Sequence, residues 1–264
     1  MSVSTSAQWY RIPALKDNYI WMLHNPSSGA LAIVDPGETD AVMAALTEYN
    51  LTPTEIINTH HHADHTDGNA ALRAAFDLPL MAPQSEHARI ADITTAVQDG
   101  DQVTIAGYDA IVIETPGHTT GHVAFYIPDI GHDHGIAFVG DTLFSMGCGR
   151  VFEGTMPEMW ASLSALKALP DNTLICAGHE YSAANAAYVA SLNWPRAEAN
   201  DRMAAITALR AEGQPTLPVM LGVEKAANPF LNCDATDLKT AMGMAADTDA
   251  AEVFSALRTG KDQF

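Results

Sequence analysis

Apolar positions come in short runs through the first two thirds of the chain and at helical spacing after that. Residues 9–12, 19–23 and 31–34 are rich in apolar and aromatic side chains. Lys16-Asp17-Asn18 and Asn25-Pro26-Ser27-Ser28-Gly29 separate them, so the pattern predicts three successive strands. Asp35-Pro36-Gly37 stops the third. Residues 39–49 place Val42, Met43, Leu46 and Tyr49 on one helical face, and the β-branched run Ile56-Ile57-Asn58 follows. Further on, the pattern predicts a helix over 69–76, a strand over 78–82, a strand pair at 102–105 and 110–113 around Gly107, strands at 123–127 and 136–139, a helix over 159–169 and a strand at 173–176. From residue 181 the signal changes. Residues 181–192, 195–212 and 234–244 are Ala-rich with helical spacing and almost no strand signal, and 249–258 reads as a last helix. The break predicts a mixed α/β catalytic domain over 1–180 and a helical domain over 181–264.

His60, His118, Asp141 and His179 each stand just past the C-terminal end of a separate predicted strand. Such ends converge on one sheet edge, where α/β architectures carry their chemistry, and Pro116-Gly117, Gly140 and Gly178 permit the sharp turns needed there. The densest stretch is Thr59-His60-His61-His62-Ala63-Asp64-His65. While the chain is extended, His60 and His62 point to the same side. Where it turns helical, Asp64 and His65 can aim at a second point nearby. A solvated His-rich turn would need no downstream partners, and here suitable partners follow.

Composition narrows the function classes. The 264 residues are 47% hydrophobic and 17% charged, ordinary for a soluble globular protein. With 13 Lys+Arg against 32 Asp+Glu the formal charge is −19, which disfavours nucleic acid and anionic membrane as partners. The opening residues lack the basic and apolar regions of a leader, and no apolar stretch approaches the roughly 18 residues of a membrane span, so a cytoplasmic setting is expected. Cys148, Cys176 and Cys233 are scattered without C-x-x-C spacing, which predicts reduced thiols.

Five imidazoles and two carboxylates without a thiolate suit Zn²⁺ first, with Fe or Mn²⁺ as alternatives; a closed structural zinc site more often uses cysteine. His60, His62 and His118 make three nitrogen ligands for one ion. Asp64, His65 and His179 make three ligands for a second, and Asp141 can bridge both. Two divalent ions per chain, roughly 3.5–4 Å apart with a position left for water, generate hydroxide near neutral pH and stabilise a developing oxyanion. That chemistry is hydrolysis. Taken singly each residue has a plainer use: a loop histidine for His118, a buried hydrogen-bonding one for His179, a helix cap for Asp141. The joint occurrence points to a metal centre.

Thr59 to His65, Thr115-Pro116-Gly117-His118, Gly140-Asp141-Thr142-Leu143-Phe144 and Gly178-His179-Glu180-Tyr181 resemble the motifs of the metallo-β-lactamase superfamily. Gly147-Cys148-Gly149-Arg150, Glu153-Gly154-Thr155, Asn228-Pro229-Phe230-Leu231 and Arg258-Thr259-Gly260-Lys261-Asp262 narrow the resemblance to its glyoxalase II, or hydroxyacylglutathione hydrolase, family. The resemblance covers essentially the whole chain. It implies an αββα sandwich with a C-terminal helical domain, a binuclear centre, and cleavage of S-D-lactoylglutathione to D-lactate and glutathione in methylglyoxal detoxification. It further implies a glutathione thioester bound by Arg150, Phe152, Tyr181, Arg258 and Lys261, the last two, three residues apart, clamping the glycine carboxylate whether or not the helix continues past Arg258; a monomer is expected.

Three positions depart from the family's pattern: Arg150 where lysine is common, Phe152 where tyrosine is common, and Asn232 where arginine often follows Asn-Pro-Phe-Leu. Arg150 keeps the charge with another donor geometry, and Phe152 loses a hydroxyl. His61 and His122 are expected to support ligands rather than serve as them, and His132 and His134 to face solvent. The expected reaction is attack of a metal-bridging hydroxide on the thioester carbonyl, with Asp141 and Asp64 as the catalytic carboxylates and thiolate leaving without a dedicated acid. The competing reading is a persulfide dioxygenase of the same fold with a single iron, which would leave the Asp64/His65/His179 group without metal. A β-lactamase reading is disfavoured, since those enzymes lack the aspartate that Asp141 supplies.

Overall fold

The apolar runs that predict strands pair with their neighbours. In the computed structural model, which describes residues 6–264, β1 (Gln8–Ala14), β2 (Asn18–His24) and β3 (Leu31–Val34) form an antiparallel meander. Residues 1–5, part of the opening stretch read above for a leader, lie outside the described residues. α1 (Thr39–Tyr49) crosses back to β4 (Glu55–Ile57), parallel to β3. α2 (Ala63–Thr66) and α3 (Asn69–Phe76) lead to β5 (Leu80–Pro83), and β6 (Thr95–Val97) completes this sheet in the order of the chain.

The second sheet runs through β7 (Gln102–Ile105), β8 (Tyr108–Glu114), β9 (Val123–Ile127) and β10 (Gly135–Gly140), all antiparallel. A small hairpin, β11 (Leu143–Phe144) and β12 (Gly147–Cys148), and α4 (Met156–Lys167) come before β13 (Thr173–Ala177), parallel to β10. α5 (Ser182–Ser191) and α6 (Ala197–Ala211) precede β14 (Val219–Met220), which pairs antiparallel with β13. α7 (Leu221–Ala227), α8 (Thr236–Ala241) and α9 (Ala250–Gln263) end the chain.

Strand periodicity explains the layers. Along β2, Ile20 and Met22 face one buried cluster with Val42, Leu46 and Leu72 of α1 and α3, while Tyr19, Trp21 and Leu23 face a second with Phe125 and Phe138 of the other sheet. Strands buried on both faces read as continuous apolar runs. The larger cluster continues into Leu163 and Leu166 of α4 and Val253, Phe254 and Leu257 of α9. The result is an αββα sandwich with a helical C-terminal region, the metallo-β-lactamase architecture.

Several elements differ from the pattern reading. β14 lies inside the stretch read as helical, because two residues are too few to show alternation. The predicted helix over 234–244 shortens to α8, and the last helix, predicted over 249–258, continues as α9 five residues past Arg258 and includes Lys261. α4 begins earlier than predicted, at a capping box: Thr155 Oγ1 accepts the Glu158 N–H and Glu158 Oε2 accepts the Thr155 N–H, with Pro157 beside it. Asn232 is buried and donates to the Lys225 and Asn228 carbonyls at 2.8 Å each, satisfying the end of α7, so its departure from the family pattern has a local structural use. The three cysteines are free and buried, and among the described residues no helix is long and apolar enough to cross a membrane.

Glu224 joins α7 to the β11–β12 hairpin. Fully buried, it accepts from Ser145 Oγ at 2.7 Å, the Met146 N–H at 2.8 Å and Asn228 Nδ2 at 3.1 Å, with Arg202 Nε 3.6 Å away. Removing it strands the Ser145 hydroxyl and the Met146 N–H and takes the carboxylate from beside Arg202. Glu224→Ala should therefore lower unfolding stability by about 3–5 kcal/mol, read by urea denaturation; a change under about 1 kcal/mol would show that the site collapses without cost.

Candidate metal centre

β4, β8, β10 and β13 end at one edge of the sandwich, and the loops leaving them carry the predicted ligands. His60 Nε2 lies 3.1 Å from His62 Nδ1, which lies 3.0 Å from His118 Nε2. Three nitrogens converge on one point. Beside them His65 Nε2 is 3.3 Å from His179 Nε2, and both approach Asp64 Oδ2, at 3.5 and 3.3 Å. Asp141 stands between the groups. Its Oδ1 is 3.5 Å from His65 Nε2, and its Oδ2 is 3.3 Å from His179 Nε2 and 3.4 Å from His118 Nε2.

His118, His179 and Asp64 are held from behind. His118 Nδ1 donates to the Arg150 carbonyl at 2.9 Å, His179 Nδ1 to Asp17 Oδ1 at 3.0 Å, and Asn18 Nδ2 to Asp64 Oδ2 at 2.9 Å. Asp35 accepts from the Thr59 N–H and Oγ1 at 2.8 and 2.7 Å and sits 3.2 Å from His65 Nδ1. Its oxygens are therefore committed to the loop, and although it comes near His60 and His65 it is their support. Buried His122 accepts the Asp141 N–H on Nε2, so Nδ1 carries its proton, toward Thr115 Oγ1 at 2.7 Å. His61 and His122 thus stay outside the converging sets, as expected. His132 and His134 lie elsewhere, ring on ring, with His132 Nε2 on the Ala7 carbonyl.

Charge within the site matches cation binding. Burial, and then the neighbouring imidazoles, hold His60 well below its ordinary pKa; burial also depresses His62 and His118. These three are neutral donors. Burial works against the charges of Asp141, Asp64 and His179, but their mutual attraction wins: both carboxyls fall far below the usual range, and His179 is lifted to about 11. Asp141 Oδ1 is buried with no hydrogen-bond donor, a costly state unless a cation meets it. Gly178 leaves room for this cluster, since a Cβ there would lie 2.5 Å from Asp141 Oδ1 and 2.7 Å from His65 Cε1. The donor set, the ionised carboxylates and the orphaned oxygen fit two divalent ions.

Tyr181 stacks on His179, centroids 4.6 Å apart, and with Phe144 begins a cavity of about 310 Å³ that also takes in Arg150, Arg258 and Lys261. Four of the five predicted substrate contacts are thus together. The fifth, Phe152, stands apart, 61% exposed, with its ring 5.2 Å from His118 and 6.1 Å from His62. Arg258 is buried and already donates to the Cys148 carbonyl at 2.9 Å and Asp262 Oδ1 at 3.0 Å, so it is not a free terminal guanidinium. Lys261 Nζ donates to the Ala184 carbonyl at 3.0 Å. Sequence reading missed Asp17, Asn18 and Asp35, whose only signal was to interrupt or end apolar runs.

Comparisons with known proteins agree with this geometry. Residues 17–179 match the family model of the metallo-beta-lactamase superfamily, and 180–264 that of the hydroxyacylglutathione hydrolase C-terminus. A hydroxyacylglutathione hydrolase of Cereibacter sphaeroides is 46% identical over 253 residues, 96% of this chain and 97% of that protein. One of Maricaulis maris is 43% identical over 254 residues, again 96% and 97%. Among solved structures, a metallo-beta-lactamase from Staphylococcus aureus aligns with a TM-score of 0.66 at 20% identity, covering 97% of this chain and 71% of that one. ETHE1 from Myxococcus xanthus aligns at 0.65 and 21%, covering 96% of each. At such identities these structures share the fold alone.

Asp141→Asn removes the one anion that faces both groups. Metal content by elemental analysis should fall from about two ions per chain toward one or none, with activity following it; two ions retained with near-normal kcat would mean that Asp141 is not the bridge.

Proposed function

The chain belongs to the hydroxyacylglutathione hydrolase family of the metallo-β-lactamase superfamily, and from that premise we propose that it hydrolyses S-D-lactoylglutathione and related 2-hydroxyacylglutathione thioesters, releasing glutathione and the 2-hydroxy acid. One observation carries the substrate assignment. The cavity holding Arg150, Arg258 and Lys261 starts at Tyr181 and Phe144, which touch the ring of His179. In a protein of net charge −19 this is a local concentration of cations, suited to the carboxylates of glutathione. A thioester whose tripeptide lies in the cavity has its carbonyl at the seven-residue cluster.

Two divalent ions, zinc by preference of the donor set, would be held by His60, His62 and His118 and by Asp64, His65 and His179, with Asp141 between; they would supply water activated near neutral pH and polarise the carbonyl. The chain's own side chains do the rest. Asp17, Asn18, Asp35 and the Arg150 carbonyl fix the ligands in one orientation, so little reorganisation accompanies the reaction. Asp64, with 40% of its side chain exposed, is the more open of the two site carboxylates and the proposed acceptor of the water's proton, although the neighbours that hold it ionised also make it a weak base. Tyr181 orients the substrate against His179. The leaving thiolate needs no acid, because a thiol of pKa about 8.5 departs readily as an anion. Relatives 43–46% identical over nearly the whole chain are hydroxyacylglutathione hydrolases, while ETHE1 is similar only at 21% identity, which favours hydrolysis over a single-iron oxidation. Because every side chain named comes from one chain, we read the functional unit as a monomer, and the free cysteines suit the cytoplasm.

The direct test is release of free thiol from S-D-lactoylglutathione by metal-loaded protein, with loss of turnover on chelation; fully loaded protein that releases none would overturn the assignment. Within that assay Lys261→Ala should raise KM about tenfold with kcat little changed, as expected for a charge-assisted contact of roughly 1.5 kcal/mol. A small thioester without the tripeptide should be indifferent to the change. Arg258→Ala, by contrast, should also lower stability, because it leaves the buried Cys148 carbonyl without its donor.

A further inference from the structure

A second cluster of charged side chains, beside the metal centre, has no part in the chemistry above. Glu86 is fully buried; its Oε1 accepts from Thr119 Oγ1 at 2.8 Å, and its Oε2 lies 2.9 Å from His61 Nδ1, close but off the line of a hydrogen bond. Arg89 Nη1 lies 3.2 Å from His61 Nε2 and donates to Glu153 Oε1 at 2.5 Å. The other oxygen of Glu153 accepts the Thr120 N–H at 3.0 Å. Glu153 therefore joins the segment after β12 to the segment after β5 and to the β8–β9 loop, two residues beyond His118. Its neighbour Phe152 lies against the rings of His118 and His62 while remaining 61% exposed. Burial alone is a poor reason for so open a phenyl ring to keep that place, since only a minor part of its surface leaves water. The fixed side chain is Glu153.

We propose that Glu153, tied to Arg89 and Thr120, is a positioning residue that latches residues 150–154 across the histidine side of the metal centre, so that Phe152 forms a wall of the acyl pocket and sets which acyl groups are accepted. The inference rests on the thioesterase reading for its substrate consequence, while the latch itself does not depend on it. The ring of Phe152 lies beside those of His62 and His118 and does not line the Arg150–Lys261 cavity proposed for the tripeptide, so it is placed to meet the acyl half of the substrate. Releasing the latch frees the stretch around Phe152, while the Arg150 carbonyl stays tied to His118 Nδ1 and the Gly154 N–H to the Gly117 carbonyl, so the ligands keep their supports and one wall is lost.

Three variants test it: Glu153→Ala, Arg89→Ala and the double. Hydrogen–deuterium exchange of peptides covering 149–154, followed by mass spectrometry with and without metal, should speed up about threefold to tenfold in each single variant and no further in the double, because both changes open the same latch. KM for the lactoyl thioester should rise by a similar factor with kcat within about twofold, and the preference between a small and a bulky acyl group should flatten. Metal content should not change. Unaltered exchange in 149–154 for either single variant would overturn the proposal. So would loss of metal, since the cluster would then be holding the ligand loop through His61. Should the wild type cleave no glutathione thioester, the functional reading falls, and the exchange experiment still decides the latch.

Discussion

Two carboxylates and five imidazoles crowded into a mostly buried pocket are the constraint on which the rest of the structure depends. An ionised Asp141 with an unpartnered oxygen is costly unless positive charge stands beside it, and imidazoles packed with their nitrogens together repel each other once protonated. Cations relieve both at once. Everything behind the pocket is arranged so that the donors cannot turn away: carboxylates on the rear nitrogens of His65 and His179, a carbonyl on that of His118, and the Asn18 amide on Asp64. The site is stiff because its supports come from the β1–β2 turn, the loop after β3 and the segment after β12 rather than from one loop.

Close approach is the second requirement, and glycine meets it where a side chain would collide with backbone. A Cβ on Gly37 would overlap the Asp64 carbonyl, and one on Gly149 the Asp141 carbonyl. Neither partner can swing aside, since each belongs to a residue that faces the metal position. The loop after β3 therefore packs directly under the ligand helix α2, and the segment after β12 directly against the turn that presents Asp141. These contacts transmit sheet geometry to the ligands without intervening side chains.

Much of this was readable in the amino-acid order, and what was not has a common cause. The ligands could be found because they follow apolar strands and because the four motifs that carry them are local strings. The supports could not, since Asp17, Asp35, Glu86 and Glu224 look like any loop or helix acid until the fold brings a buried donor to them from far along the chain. Arg258 is the converse case: a basic residue near the chain end reads as a free cation, yet α9 packs it under β12, and two of its five N–H donors are used inside the protein. β14 escaped for lack of length, and the early start of α4 was marked by the Thr155-to-Glu158 box inside a stretch read for its apolar spacing alone.

The β11–β12 hairpin explains why metal binding and substrate binding are not separable here. Its leading turn presents Asp141, its exit strand presents the Cys148 carbonyl to Arg258, and the next residues supply both the Arg150 carbonyl that holds His118 and the Arg150 side chain that faces the cavity. The helices after residue 180 grip this same hairpin: Asn185 donates to the Ser145 carbonyl, Asn228 to those of Phe144 and Gly147, and Glu224 accepts the Met146 N–H. A helical region that served only to bind glutathione would need none of these contacts. Because it has them, it also holds the turn on which Asp141 stands, and the C-terminal third of the chain is part of the scaffold of the candidate metal centre.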